Sequence, residues 1–409
     1  MLSYSDNPAE GHALSIYKAL KYEGNDAYFV SLVSEFTNDT PAFFIDYHKE
    51  WGLKTLWYKL KKKYFISVSP KADNKKEYCF YNTSNYYVGN ARRILNKIPI
   101  VPEVIIIGWT DFYISPKVIS DLYHATHARI VIYLVDHHIL GGGCHYPCDC
   151  NQFASGCKSC PALKKKSIAA RLYQEKLKYL TDTPITIVGT TYDLLRARKV
   201  PFLQNKVFLS TIGTPTIPFA KSQDKARKEM GLNENDFIIM CGAYSVEDKR
   251  KGFAYLVEAV NLFCNQITKE RPVTLLLLGN RISDEFQIND KIKIVKPGFL
   301  SIDQLFTAYY ASDIFVSPSI DDSGPYMINY SIACGTPVVS FPIGVALDLI
   351  KHKGTGYLAK YLDVDDLAKG IGYIYNMPPE ESRMCSERCL LLMDELRKNS
   401  KPWFLKVLE

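Results

Sequence analysis

Two acids, a serine, a glycine and a proline stand together at Asp321, Asp322, Ser323, Gly324 and Pro325, just after the apolar run Ile314-Phe315-Val316. Beyond them, residues 326–334 read as a short helix that Gly335 ends, and Thr336-Pro337-Val338-Val339 begins another strand. The polar residues therefore gather where a strand hands over to a helix, which is where open α/β sheets hold ligands. Asp322 or Ser323 can cap that helix, and Pro325 loses nothing in a first turn whose N–H groups lack intrahelical partners. Those N–H groups and the helix macrodipole favour an anion, and Gly324 lets the backbone approach it. The acids repel phosphate but accept hydrogen bonds from hydroxyls, so a phosphate flanked by a polyol satisfies both halves of the corner. Pattern alone leaves a second reading, in which Asp322 is a cap and the helix is core.

Three further groupings could do chemistry. Lys249, Arg250 and Lys251 precede Gly252 at the start of a helix bearing Phe253, Leu256, Val257 and Val260 on one face; they read as a phosphate contact or as a solvated loop. Asp136, His137 and His138 close the apolar run 128–136, at a strand end where catalytic side chains collect, although paired histidines there are also met in surface or core packing. Cys144, Cys150, Cys157 and Cys160 form a C-x5-C-x6-C-x2-C series, with Cys148 and His145 as spare ligands. Four thiolates in so short a loop can close a tetrahedral structural zinc site; free thiols or a redox pair are the alternatives.

These groups need a scaffold. The apolar runs 104–109 and 128–136 flank a helical segment at 116–124, and strand, helix, strand with uniformly apolar strands argues a parallel sheet covered on both faces. Residues 187–209, 237–241, 273–279 and 292–295 continue the alternation. Gly11 precedes a helix with Ala13, Ile16, Tyr17 and Leu20 at helical spacing. Residues 51–66 pattern as a basic, aromatic amphipathic helix that either packs on the domain core or lies on an anionic bilayer.

At 409 residues the chain is long enough for two full cores, and 47% hydrophobic against 23% charged residues excludes a disordered protein. The net charge of +7 suits anionic substrates or a membrane surface and is too diffuse to argue for nucleic acid. No apolar run reaches spanning length and no signal peptide is legible, so a cytoplasmic location is expected, where the 11 cysteines point away from structural disulfides.

The stretch 317–341, with GTPVV at its end, resembles the nucleotide-sugar signature of retaining glycosyltransferases of glycosyltransferase family 4, which carry two acids eight positions apart. The GG-CHY and GC-x-x-CP pattern of the cysteine loop resembles a subgroup typical of bacterial capsule, exopolysaccharide or lipopolysaccharide enzymes. The resemblance implies the α/β GT-B fold, two Rossmann-like doubly wound parallel-sheet domains facing a cleft. On that basis residues 1–214 form an acceptor-side domain with the cysteine-rich loop 141–163, residues 215–385 bind the nucleotide sugar, and residues 386–409 form a final helix returning to the first domain. Asp322 falls where the family's first acid contacts the donor sugar, and Lys251 where a lysine contacts the donor diphosphate, helped by Ser323, Gly324 and Pro325. Phe299, in PGFLS, falls at the turn that meets the nucleotide base.

The sequence also departs from the family. Tyr330 replaces the second acid, which grips the ribose; Val135 replaces the histidine of a His-Asp pair, leaving Asp136 with His137 or His138; and Ala243-Tyr244 replaces an arginine whose charge Arg250 could supply. Gly11 stands alone where paired glycines usually form an acceptor-side loop. The implied activity is retaining transfer of a sugar from a nucleotide-diphosphate donor to a hydroxyl of a glycan or lipid-linked acceptor in bacterial surface polysaccharide synthesis. No cofactor is required for the chemistry, and peripheral contact with the inner face of the plasma membrane stays open. The alternative is a catalytically impaired GT-B partner or binding subunit of a glycan-assembly complex.

Overall fold

A computed structural model describes residues 1–5, 13–34, 42–46, 60, 79–80, 87, 89–110, 113–163, 165–245, 248–267, 271–280, 287–324, 326–399 and 402–409. Gly11, Pro325 and nearly all of the amphipathic segment 51–66 lie outside them. The chain divides into two compact units, the first comprising residues 1–189, 193–211 and 401–409, the second residues 190–192 and 212–400.

The first unit holds a seven-stranded sheet built from β1 (Leu2–Ser5), β2 (Val30–Ser34), β3 (Ala42–Asp46), β5 (Val104–Ile107), β6 (Arg129–Tyr133), β8 (Ile185–Gly189) and β9 (Val207–Ser210). Two further strands, β4 (Cys79–Phe80) and β7 (Cys144–Tyr146), pair antiparallel apart from it. The main sheet runs β3-β2-β1-β5-β6-β8-β9, and its pairings are all parallel. The order reverses direction between β1 and β5, which is the doubly wound pattern and marks the switch point. Ile105, Ile107, Ile130, Ile132, Ile185 and Ile187 are buried in one core, packed against helices that include Pro116–Thr126 and Ser167–Leu180. Ser115 caps the first of these through a bond from the Val118 N–H, with Pro116 in its first turn, as capping chemistry favours. The other sheet face buries Ile106, Val131 and Val188 with Ile16, Leu20, Trp403 and Val407.

The second unit repeats the design with six strands, β10 (Phe237–Ser245), β11 (Val273–Asn280), β12 (Ile292–Gly298), β13 (Ile314–Ser317), β14 (Val338–Ser340) and β15 (Gly356–Leu358). Their order is β12-β11-β10-β13-β14-β15, again all parallel, with the switch point between β10 and β13. Every residue of β13 and β14 is buried, so these short β-branched strands carry no solvent-facing alternation. Helix Phe253–Gln266 covers one face with Phe253, Leu256, Val260 and Phe263, and helices Ile302–Ala311 and Tyr326–Ala333 cover the other with Phe306, Tyr309, Ile328 and Ile332. Each such side chain removed from water contributes about 1.5–3 kcal/mol.

The C-terminal segment differs from the expected single helix. The long helix Pro379–Asn399 stays in the second unit, burying Cys385, Cys389 and Met393, whereas the turn Trp403–Lys406 packs in the first, with the Trp403 ring stacked 5.1 Å from that of Tyr133. Pro402 separates the two, because its ring cannot continue a helix. Among the described residues no helix is long and apolar enough to cross a membrane.

Candidate functional site

The corner of the second unit is built by two loops leaving adjacent strands at the switch point. The first leaves β10 and makes a single 3₁₀ turn, Lys249–Lys251, capped by Asp248, whose carboxylate accepts from the Arg250 N–H at 3.0 Å. Gly252 follows with φ +68 and serves as the entry to helix Phe253–Gln266. The left-handed conformation suits glycine, and any Cβ there would overlap the Pro318 carbonyl of the second loop. The Ile320 N–H, in turn, donates to the Arg250 carbonyl at 2.8 Å. The two loops are thus packed and hydrogen-bonded into one corner.

The second loop leaves β13 and carries the acids. Asp321 is fully buried; Asp322 and Ser323 are nearly so, and Gly324 is half-buried. Lys251 Nζ lies 2.5 Å from Asp322 Oδ2, and Arg250 donates to the same oxygen at 3.3 Å while also pairing with Asp248 at 2.9 Å. The Gly324 N–H donates to Asp322 Oδ1 at 3.3 Å. Burial pushes the Asp322 carboxyl up, but the adjacent Lys251 and Arg250 charges and the Gly324 N–H outweigh it and hold the group below the ordinary carboxylate range. The corner therefore holds two cations and a backbone donor converging on one buried anion. Lys251 keeps 27% of its side chain exposed, enough to meet an incoming ligand.

Tyr330 and Phe299 occupy different surroundings. Tyr330 is half-buried in an aromatic cluster, its ring edge-on to Phe306 at 5.3 Å and to Tyr326 at 4.9 Å. Phe299 follows the left-handed Gly298 at the end of β12 and is 66% exposed.

The first unit has its own polar corner, at the ends of β5 and β6. Asp136 is buried, accepting from the His138 N–H at 2.9 Å and from His145 Nδ1 at 2.5 Å. The His145 ring lies between those of Trp109 and His138, at 5.0 and 4.9 Å, both stacked. Thr110 Oγ1 lies 3.3 Å from His138 Nδ1. Burial pushes the Asp136 carboxyl up, and His145 together with His138 reverses that and holds it low. His137 points elsewhere: Arg196 lies 3.2 Å from its Nδ1, and its Nε2 is 2.8 Å from Asp193. A guanidinium only donates, so Nδ1 accepts and the ring proton sits on Nε2, donated to Asp193. Asp136 and His138 therefore share one cluster, and His137 belongs to another.

His145 is the residue whose part here the sequence conceals. It stands nine positions past Asp136, on β7 within the cysteine loop, where its only legible signal is metal-ligand spacing.

The described side chains do not support the expected zinc site. Cys144, Cys150, Cys157 and Cys160 do line one cavity of about 20 Å³, with Pro147 and Phe153. Among the described residues, however, no three His, Cys, Asp or Glu side chains are arranged to hold a metal ion. Cys157 Sγ instead accepts from the Gly142 N–H at 3.2 Å, and burial drives its thiol up to about 11 and raises those of Cys144 and Cys150 as well. The loop is fastened by cations. The buried Lys176 donates to the carbonyls of His138 and Gly141, and Arg196 to that of Cys148 at 2.7 Å. Gly142 lies so close to the backbone of Ala169 that a Cβ would not fit, which seats the loop directly on helix Ser167–Leu180.

Residues 235–377, all within the second unit, match the family model for glycosyl transferases group 1. The matched span contains the whole Lys251–Asp322 corner. Among curated proteins, an uncharacterized glycosyltransferase of Methanocaldococcus jannaschii is 25% identical over 152 residues, 36% of this chain and 37% of that one. A D-inositol 3-phosphate glycosyltransferase of Mycolicibacterium smegmatis is 30% identical over 99 residues, 24% of this chain and 22% of that one. The chain thus spans little more than a third of these relatives at most. Solved structures extend the likeness to both units at the level of fold. Sucrose-phosphate synthase from Thermosynechococcus elongatus superposes with a TM-score of 0.57 at 15% identity, covering 97% of this chain and 93% of its own. Anabaena HepE in complex with UDP and glucose gives 0.55 at 14%, covering 96% and 94%. The fold is GT-B.

Proposed function

We propose that the chain is a retaining glycosyltransferase that moves a sugar from a nucleotide-diphosphate donor to a hydroxyl of a glycan or lipid-linked acceptor, in the synthesis of a bacterial surface polysaccharide. One observation carries the reading: Lys251, Arg250 and the Gly324 N–H converge on a single anion position at the switch point of a doubly wound sheet. A departing diphosphate is an anion of the kind such a corner stabilises, and prearranged charge aimed at a leaving group is commonly the largest contribution to transfer chemistry. In this reaction the bond between the anomeric carbon and the diphosphate oxygen breaks, the acceptor oxygen bonds to that carbon, and the acceptor proton passes to the departing diphosphate and on to solvent. Lys251 and Arg250 hold the leaving group, and Asp322 holds the sugar hydroxyls. Asp136, kept ionised and oriented by His145 and His138, supplies the acceptor-side carboxylate.

The Anabaena protein's complexes with UDP and with UDP-glucose support a uridine donor as the first to try. We place the enzyme in the cytoplasm, with contact at the inner face of the plasma membrane when the acceptor is lipid-linked. The competing reading, a catalytically silent partner subunit, is favoured by the aromatic packing of Tyr330, which leaves a phenol where a carboxylate clamp is expected.

Thermal shift with UDP-, GDP- and ADP-sugars followed by a transfer assay tests the proposal. A functional donor site raises the melting temperature with at least one donor and releases its nucleoside diphosphate. Binding without turnover, or no binding to any of the three, would overturn the transferase reading and favour the partner subunit.

A further inference from the structure

The anion position described above is already filled, and by the protein's own carboxylate. Asp322 Oδ2 takes Lys251 at 2.5 Å and Arg250 at 3.3 Å, and Oδ1 takes the Gly324 N–H. A diphosphate reaching Lys251 and Arg250 competes with Asp322 for the same donors. We infer that Asp322 makes this corner discriminate against a bare nucleoside diphosphate in favour of one that still carries its sugar. The inference rests on the donor-binding reading just given and concerns what that site selects.

The Asp322 side chain is 10% exposed, and fully buried Asp321 is its neighbour in the chain. Displaced from its cations, the carboxylate has little water to turn to, and a buried charge without partners is strongly unfavourable. A sugar attached to the diphosphate brings hydroxyl donors to the place the carboxylate must turn towards, and an ionised carboxylate accepts up to four hydrogen bonds. A nucleoside diphosphate without its sugar ends there in ionised phosphate oxygens, which accept and do not donate, and its ribose and base donors lie at the other end of the molecule. Binding of the intact donor is then an exchange of partners for Asp322, and binding of the spent nucleotide is a loss. Gly252 sharpens the choice, because the packing that fixes it against Pro318 leaves the two loops little freedom to part and accept both anions side by side.

The test compares charge with shape. Asp322→Asn keeps the size and a carbonyl acceptor while removing the charge; Asp322→Ser is a second neutral variant, and circular dichroism checks that both fold. Affinities for UDP, GDP, inorganic pyrophosphate, UDP-glucose and GDP-mannose are measured by titration calorimetry on the full chain. We expect either neutral variant to bind UDP or GDP, whichever the wild type prefers, and pyrophosphate about tenfold more tightly, equivalent to about 1.4 kcal/mol. The matching nucleotide sugar should gain less, so that the preference for the intact donor shrinks. Lys251→Ala should weaken all of these ligands.

If wild type binds a nucleotide and both neutral variants bind the free diphosphate no more tightly than wild type, the inference fails while the donor site stands. If wild type binds none of the five ligands and neither ADP nor ADP-glucose, the donor site itself falls and the inference with it.

Discussion

Each unit presents a buried carboxylate near the carboxyl end of its sheet, and the two are held in different ways. Asp322 is gripped by the ends of two long cationic side chains, one of them 27% exposed, which can be turned towards another anion by rotating a few bonds. Asp136 is gripped by a backbone N–H and by an imidazole stacked between Trp109 and His138, an arrangement with no flexible part. The comparison teaches that similar burial, with the carboxyl held below its ordinary range in both places, can serve opposite ends. In the second unit the partners can be transferred to a ligand. In the first they fix a group in place.

The largest effect should separate the two corners by activity. Lys251→Ala should lower kcat/KM for the accepted donor by roughly 10²–10³-fold, the magnitude of losing one prearranged charge on a leaving group, with the fall visible in steady-state transfer assays. His145→Asn should instead act on orientation of Asp136. The expected pattern is a rise in acceptor KM with donor affinity unchanged, and an effect on donor binding would break the contrast.

Stability gives the next effect. Lys176→Met removes the ammonium that fastens the carbonyls of His138 and Gly141 beside the first unit's polar corner. Leaving buried carbonyls unpaired should cost about 2–4 kcal/mol, read as a lower urea midpoint.

The response to acid follows from the same two carboxylates. Both have proton affinities held below the ordinary value, so the stability each contributes is complete above that value, about 3.9, and is lost as pH falls through its lower folded value. The contribution should be flat from pH 7 to about 5 and decline only below about 4. Asp322→Asn should remove part of that acid-side decline, as measured by urea melts across pH.

Phe299→Ala should give the smallest change. At 66% exposure its loss should leave stability within about 0.5 kcal/mol and weaken nucleotide binding only a few-fold, in line with about 0.5–1.5 kcal/mol for one aromatic contact.

The second unit is the more legible half, and the reason is local. Strands such as Ile314–Ser317 are short, fully buried, apolar up to their last residue and followed at once by a proline, and the Lys251-Gly252 pair and the acids sit in the loops that follow two of the strands. Adjacent strands bring those loops together with no information beyond strand order. The first unit's corner needs contacts that no local pattern encodes. Asp136 meets His145 across a turn of three glycines, and His137 meets Asp193 from 56 positions away. The cysteine spacing does bring Cys144, Cys150, Cys157 and Cys160 around one small cavity, but spacing along a chain does not report whether side chains adopt the arrangement a metal ion requires. Burial of Lys176 is similarly invisible, since a lysine within a helix ordinarily reads as solvated.

The fit of Gly252 beneath Pro318 bears on how this corner could be re-engineered. Because the turn carrying the lysine and the loop carrying the aspartate touch at a point with no spare room, inserting or deleting a residue in either one would re-aim both. Libraries meant to alter donor preference would therefore do best to vary side chains at fixed loop lengths and to leave position 252 untouched.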